Sequence, residues 1–158
     1  MCIRDSLCNI IERLLKVNRR GILVFTRFLK EAERLEKTFG CCAIVSGSTP
    51  KSEREQILEK FKSGQIKVVA NVGVLTTGFD YPELDTVVLA RPTMSLSLYY
   101  QMIGRAIRPH KDKLESWVVD LCNNYHRFGR VEDLKLTEPQ KGLYQIESNG
   151  RALTNVYF

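Results

Sequence analysis

The sequence predicts an α/β fold, a parallel sheet with helices on both faces, followed by a small C-terminal β-hairpin. Two observations carry this. The stretches Gly21–Thr26, Cys41–Val45, Ile66–Ala70, Thr86–Ala90 and Ser116–Leu121 are largely continuous apolar runs. Strands buried on both faces read this way, whereas half-exposed strands alternate. Between most of these runs lie segments with apolar residues at helical spacing. Strands alternating with helices build βαβ units and hence a parallel sheet, with right-handed crossovers as the default.

The elements follow in order. Leu7–Val17 carries Leu7, Ile10, Ile11, Leu14 and Leu15 on one face and reads as an amphipathic helix. Met1–Ser6 has no relation to that pattern and reads as a translated scar of a fragmentary gene model. After the first strand, Phe28, Ala32, Leu35 and Phe39 mark a helix, with Gly40 as its C′ residue. Thr49 and Pro50 suit the N-cap and first position of the next helix, which Ile57, Leu58 and Phe61 line. Asn71–Asp80 is a loop or short helix, and Tyr81–Asp85 a turn. A helix bearing Tyr99, Met102, Ile103 and Ala106 on its core side should run to Arg108. Pro109 cannot donate to the helical ladder and disfavours helical geometry before it. Val131–Leu136 is a short helix or strand. Gly142–Ile146 and Ala152–Phe158, parted by Ser148-Asn-Gly150, form the hairpin. The domain division is then an extension over 1–20, a main domain over 21–136 and a tail over 137–158.

With 158 residues, 44% of them hydrophobic, the chain is one domain with a substantial core. No apolar run approaches the roughly 20 residues of a membrane-spanning helix, so no membrane partner is expected. A net charge of +6 favours a polyanionic partner. The five cysteines, Cys2, Cys8, Cys41, Cys42 and Cys122, form no C-x-x-C pair, and His110 and His126 have no ligand-spaced companions. That argues against a zinc site. An odd count without a disulfide framework fits a reducing cytoplasm.

Three stretches carry chemistry. Gly47 precedes a helix whose first N–H groups are a natural phosphate seat, although an ordinary capped helix looks the same. In Asn71-Val-Gly-Val-Leu-Thr-Thr-Gly-Phe-Asp80, Asn71, Thr76 and Thr77 can hydrogen-bond a sugar–phosphate backbone. Asp80 can accept from a ribose hydroxyl or orient a neighbouring arginine. The alternative is a loop using Gly73, Gly78 and Asp80 for turn geometry. The third stretch is Gln101–Arg108. Gln101, Gly104, Arg105 and Arg108 recur at i, i+3, i+4 and i+7, opposite the apolar stripe. Gly104 leaves room for a close approach. Arginine suits phosphoryl groups because its charge is permanent and its donors are forked. The same spacing also describes a solvated basic face.

Taken together, Ile22-Leu-Val-Phe-Thr26, Ser46-Gly47, Thr77-Gly-Phe-Asp80 and Gln101-x-x-Gly104-Arg105-x-x-Arg108 resemble the second RecA-like lobe of superfamily 2 helicases, over roughly Gly21 to Leu121. The stretch Val118–Gly129 is similar to the tail of this lobe in bacterial RadD-type and related restriction-like helicases. The resemblance implies a RecA-like sheet. It implies that Arg105 and Arg108 reach the ATP γ-phosphate, with Arg108 the finger. Gln101 and Gly104 match the rest of that motif, and Gly78 and Asp80 match the motif linking nucleotide to nucleic acid. Gly47, Asn71, Thr76 and Thr77 fall near positions that hold strand phosphates, with Arg27 a further candidate.

No G-x-x-x-x-G-K-[ST] loop occurs, and no Asp-Glu pair follows an apolar strand to hold Mg²⁺. ATP and Mg²⁺ are therefore expected to be held mainly by an N-terminal lobe of the same parent chain. The expected function is the C-terminal motor lobe of an ATP-dependent helicase or translocase, on DNA rather than RNA. By itself the chain should hydrolyse nothing. A non-catalytic nucleic-acid or protein-docking module and a restriction-enzyme motor subunit are the alternatives.

Overall fold

The computed structural model describes residues 3–74 and 80–157. Five parallel strands, β1 (Ile22–Thr26), β2 (Cys42–Ser46), β3 (Val68–Val72), β4 (Thr86–Ala90) and β5 (Trp117–Asp120), form one sheet. Their order is β2-β3-β1-β4-β5. Among the described residues the α-helices are α1 (Ile3–Lys16), α2 (Leu29–Thr38), α3 (Lys51–Lys62), α4 (Leu96–Ile103) and α5 (Asn124–Phe128).

Strand β1 shows why its sequence does not alternate. All five residues are buried. Ile22 and Val24 point into a layer with Leu7, Ile11, Ala32 and Leu35 of α1 and α2. Leu23 and Phe25 point the other way, onto Phe61 of α3 and Tyr99, Met102 and Ile103 of α4. Helices thus cover both faces, as the apolar runs predict. Cys42 is a core residue, and burial pushes its thiol up to about 12.

The helix read as an N-terminal extension supplies Leu7, Ile11 and Leu14 to the same core as the central strands. Its backbone begins at Ile3, inside the stretch read as a scar. At the other end, β6 (Leu134–Gln140), β7 (Leu143–Ser148) and β8 (Arg151–Tyr157) make a three-stranded antiparallel sheet that contains the expected hairpin and adds a strand to it. The expected hairpin is its β7–β8 half, turned by Asn149 (φ 51) and Gly150 (φ 78), the left-handed pair a type I′ turn needs. Strand β6 crosses the expected boundary at 136. Leu134, Ile146 and Leu153 pack on the α3/α4 layer.

Three local readings change. Strand β3 runs two residues further than Ala70, because Asn71 keeps register with Phe25 and Val45. Gly40 follows the α2 cap but is not among the left-handed glycines; the turn closes instead through extended Phe39, whose carbonyl accepts from the Cys42 N–H. Thr49 does not cap α3 with its side chain, because its hydroxyl accepts from the Ser46 N–H at 2.9 Å.

Ile11 is fully buried between α1 and the sheet. Ile11→Ala should cost about 2–5 kcal/mol, read as a lower urea midpoint with an unchanged slope. A change near zero would restore α1 to the status of an extension.

Candidate nucleotide and nucleic-acid interfaces

The α-helix bearing the arginine motif stops at Ile103, short of Arg105 and Arg108. Beyond it the chain winds on in tighter turns: the Arg105 N–H donates to Met102 and that of Ala106 to Ile103, each three residues back. The reason lies at the acceptors. The Ala106 carbonyl takes the Lys113 ammonium at 2.7 Å and the Ser116 hydroxyl at 2.6 Å, and Pro109 has no N–H for the Arg105 carbonyl. Gly104 caps the helix. A Cβ there would meet the Tyr100 carbonyl at 2.9 Å, so its lack of a side chain already has a local cause.

Arg108 pairs with Asp80 through Nη1 and Oδ1. The orienting role read for Asp80 is therefore the one the geometry displays. The two side chains are 41% and 75% exposed, so this is a surface pair of small energetic weight and Arg108 can exchange partners. Arg105 is half-buried. Burial lowers its pKa from the ordinary guanidinium value, the Arg108 charge lowers it further, and Asp80 opposes both. The site carries more positive than negative charge in a partly desolvated setting. An arriving phosphoryl group would relieve that imbalance, so the donor set fits the triphosphate of ATP. Among the described residues no group of three His, Cys, Asp or Glu side chains could hold a metal ion.

Lys113 gives the arginine turn its position. Its ammonium donates to the carbonyls of Pro82 at 2.9 Å, Leu84 at 3.1 Å and Ala106 at 2.7 Å, using all three protons. This ties the arginine turn to the segment leading from Asp80 into β4. Nothing in the spacing of Lys113 marks it in the sequence. Pro82 and Leu84 precede β4 and Ser116 precedes β5, so Asp80, Arg105 and Arg108 lie by the amino ends of those strands.

The other candidates lie at the opposite, carboxyl ends. Arg27 is exposed after β1, its guanidinium over the Phe28 ring at 5.1 Å. Gly47 is exposed after β2, and a Cβ on it would meet nothing within 4 Å. Asn71 is at the end of β3 but fully buried. Its Oδ1 accepts from the Val74 N–H at 3.1 Å, so it shapes the turn and its side chain does not reach the surface. Gln101 is exposed on α4 and donates to Ser97 at 3.3 Å, facing a groove shared with Leu134 and Leu136 of β6. Gly78, Thr76 and Thr77 lie outside the described residues.

Sequence reasoning missed a second anchor. Asp120, ending β5, accepts from the Cys122 and Tyr125 N–H groups and from the Asn124 amide. Asn124, 1% exposed, also donates to the Arg91 carbonyl at 3.1 Å and accepts from the Thr93 N–H at 2.9 Å. The polar Asn123–Gly129 stretch is its only sequence signal.

The family model of the helicase conserved C-terminal domain matches residues 4–110. The chain belongs to that family. A relative in Saccharomyces cerevisiae, named "Putative ATP-dependent helicase IRC3", is 43% identical over 76 residues, 48% of this helicase domain and 11% of that protein. The DNA 3'-5' translocase XPB2 of Sulfurisphaera tokodaii is 34% identical over 102 residues, 65% of this chain and 23% of that protein. Relatives named as RNA helicases match as well. The solved C-terminal domain of the DEAD-box protein Dbp5 superposes with a TM-score of 0.63 at 20% identity, over 77% of this chain and 71% of that one. The helicase domain described here thus spans less than a quarter of the length of these two curated relatives.

Lys113→Met would take this donor from the Pro82 and Leu84 carbonyls and leave the Ala106 carbonyl with Ser116 alone, in a partly buried place. It should cost about 1–3 kcal/mol and speed amide hydrogen exchange at Ala106 and Ile107. Unchanged exchange there would mean that the arginine turn holds itself.

Proposed function

We propose that this helicase domain is the second motor lobe of an ATP-dependent DNA helicase or translocase of the RadD type, working in the cytoplasm. The observation that carries the reading is the grouping of Arg105, Arg108 and Asp80 on one turn-and-loop pair held by Lys113. ATP, when bound, supplies the phosphoryl group whose transfer to water drives the motor. A first lobe of the parent chain would hold its phosphates and Mg²⁺.

The residues of this lobe do the rest. Arg108, released from Asp80, stabilises charge on the transferring group, and Arg105 binds beside it. Asp80 keeps Arg108 oriented in the open state. Gly78 lies in the same motif as Asp80, and Gln101 and Gly104 keep the helix end in place. Arg27, Gly47, Thr76 and Thr77 serve the nucleic-acid strand, and Asn71 supports them from within. The DNA assignment is supported by the translocase relative named for DNA, and the RadD type by the Val118–Gly129 stretch.

In the longer protein that carries this lobe, Arg108→Ala should lower ATP hydrolysis by about 10³-fold or more, the scale of arginine fingers in GTPase systems. Strand affinity should stay close to wild type, and the isolated 158-residue chain should show no turnover. Hydrolysis that survives Arg108→Ala would reduce the lobe to a docking module. Stimulation by RNA but not by DNA would overturn the choice of strand.

A further inference from the structure

Three arginines from three strand ends line one open cavity of 360 Å³. Arg27 follows β1, Arg91 follows β4, and Arg127 belongs to α5 beyond β5. Among the described residues, none of the three pairs with a carboxylate, whereas Arg19 is committed to Asp85 and Glu115 and Arg108 to Asp80. Two carboxylates whose charges act on Cys122 of the cavity wall already serve backbone groups. Glu31 accepts from the N–H groups of Arg27 and Phe28, and Asp120 from those of Cys122 and Tyr125.

The rim is built rather than incidental. Buried Asn124 holds the Arg91 carbonyl and the Thr93 N–H, fixing the loop after β4 to the start of α5. The Phe28 ring supports the Arg27 guanidinium. Arg91 Nη1 lies 4.0 Å from where a Cβ on Gly73 would be, so it reaches across β1 to the loop that leads to Asp80.

We propose that Arg27, Arg91 and Arg127 form a subsite for the phosphodiester backbone of a nucleic-acid strand. This rests on the nucleic-acid reading given above and adds Arg91 and Arg127 to it. The chemistry selects phosphate over base. Guanidinium forks match phosphate oxygens, and among the described residues that line the cavity none is an aromatic on which a base could stack. Contacts of this kind position a strand without reading its sequence. Their place at the head of the Gly73–Asp85 connection puts strand binding at one end of the sheet and the nucleotide arginines at the other.

The test is a salt titration of the 158-residue chain against fluorescein-labelled oligo(dT) and oligo(U). For single strands the slope of log K against log salt is about −0.7 per phosphate neutralised. Each of Arg27→Ala, Arg91→Ala and Arg127→Ala should weaken binding and flatten the slope by about 0.7. Arg91→Lys should restore the slope, and Lys141→Ala, a charge loss in the β6–β7 turn, which does not line the cavity, should leave it unchanged. Wild-type slopes in all three alanine variants would overturn the subsite while leaving the motor reading to its own hydrolysis test. Failure of the wild-type chain to bind either oligonucleotide at low salt would overturn the subsite as well. Equal loss on both oligonucleotides assigns the site to the backbone; loss on one alone would overturn that assignment.

Discussion

The burial of β1 on both faces is the constraint from which the rest follows. A strand in the middle of a parallel sheet has no face to give to water, so Ile22 and Val24 must meet one helical layer and Leu23 and Phe25 another. Removing either layer would expose a whole row of large apolar side chains. The same strand sets direction. With β3 and β4 parallel on either side of it, every strand end of one sense lies at one edge of the sheet.

That polarity separates two chemistries. At the amino ends, Asp80, Arg105 and Arg108 gather around one turn. At the carboxyl ends, Arg27, Gly47, Arg91 and Arg127 gather around loops. The connection from Val72, ending β3, to Asp80 and β4 leads from one edge to the other, and buried Asn71, one residue before it starts, is locked into the sheet. Both edges are organised by polar side chains that bind backbone. Lys113 holds three carbonyls at one edge, and Asp120 with Asn124 holds N–H and C=O groups at the other. Backbone groups taken out of water need partners, and these residues meet that need where strands give way to loops.

Buried strands were the most legible part of the chain, because an unbroken apolar run has few other uses. The arginine motif was legible as a face, since helical periodicity places Gln101, Arg105 and Arg108 together, but its end was not. Whether a helix continues depends on where its last carbonyls find donors, and the Ala106 carbonyl finds Lys113 and Ser116. Strand β6 was ambiguous for a similar reason. It is an edge strand with a register break between Thr137 and Gln140, around Pro139, and edge strands tolerate proline and polar residues that central strands do not. The packing of α1 into the core was hidden because amphipathicity says that a face is buried without saying against what.

The sequence by itself determined the sheet, its parallel sense, the identity of the helicase motifs and the residue types able to bind phosphate. All of these rest on local period, local chemistry or linear spacing. Only the tertiary structure decided which motifs share an edge, that Asp80 holds Arg108, that Asn71 is internal and that Arg91 and Arg127 join Arg27. Those facts depend on contacts between residues far apart in the chain, and linear spacing carries no information about which strand ends meet.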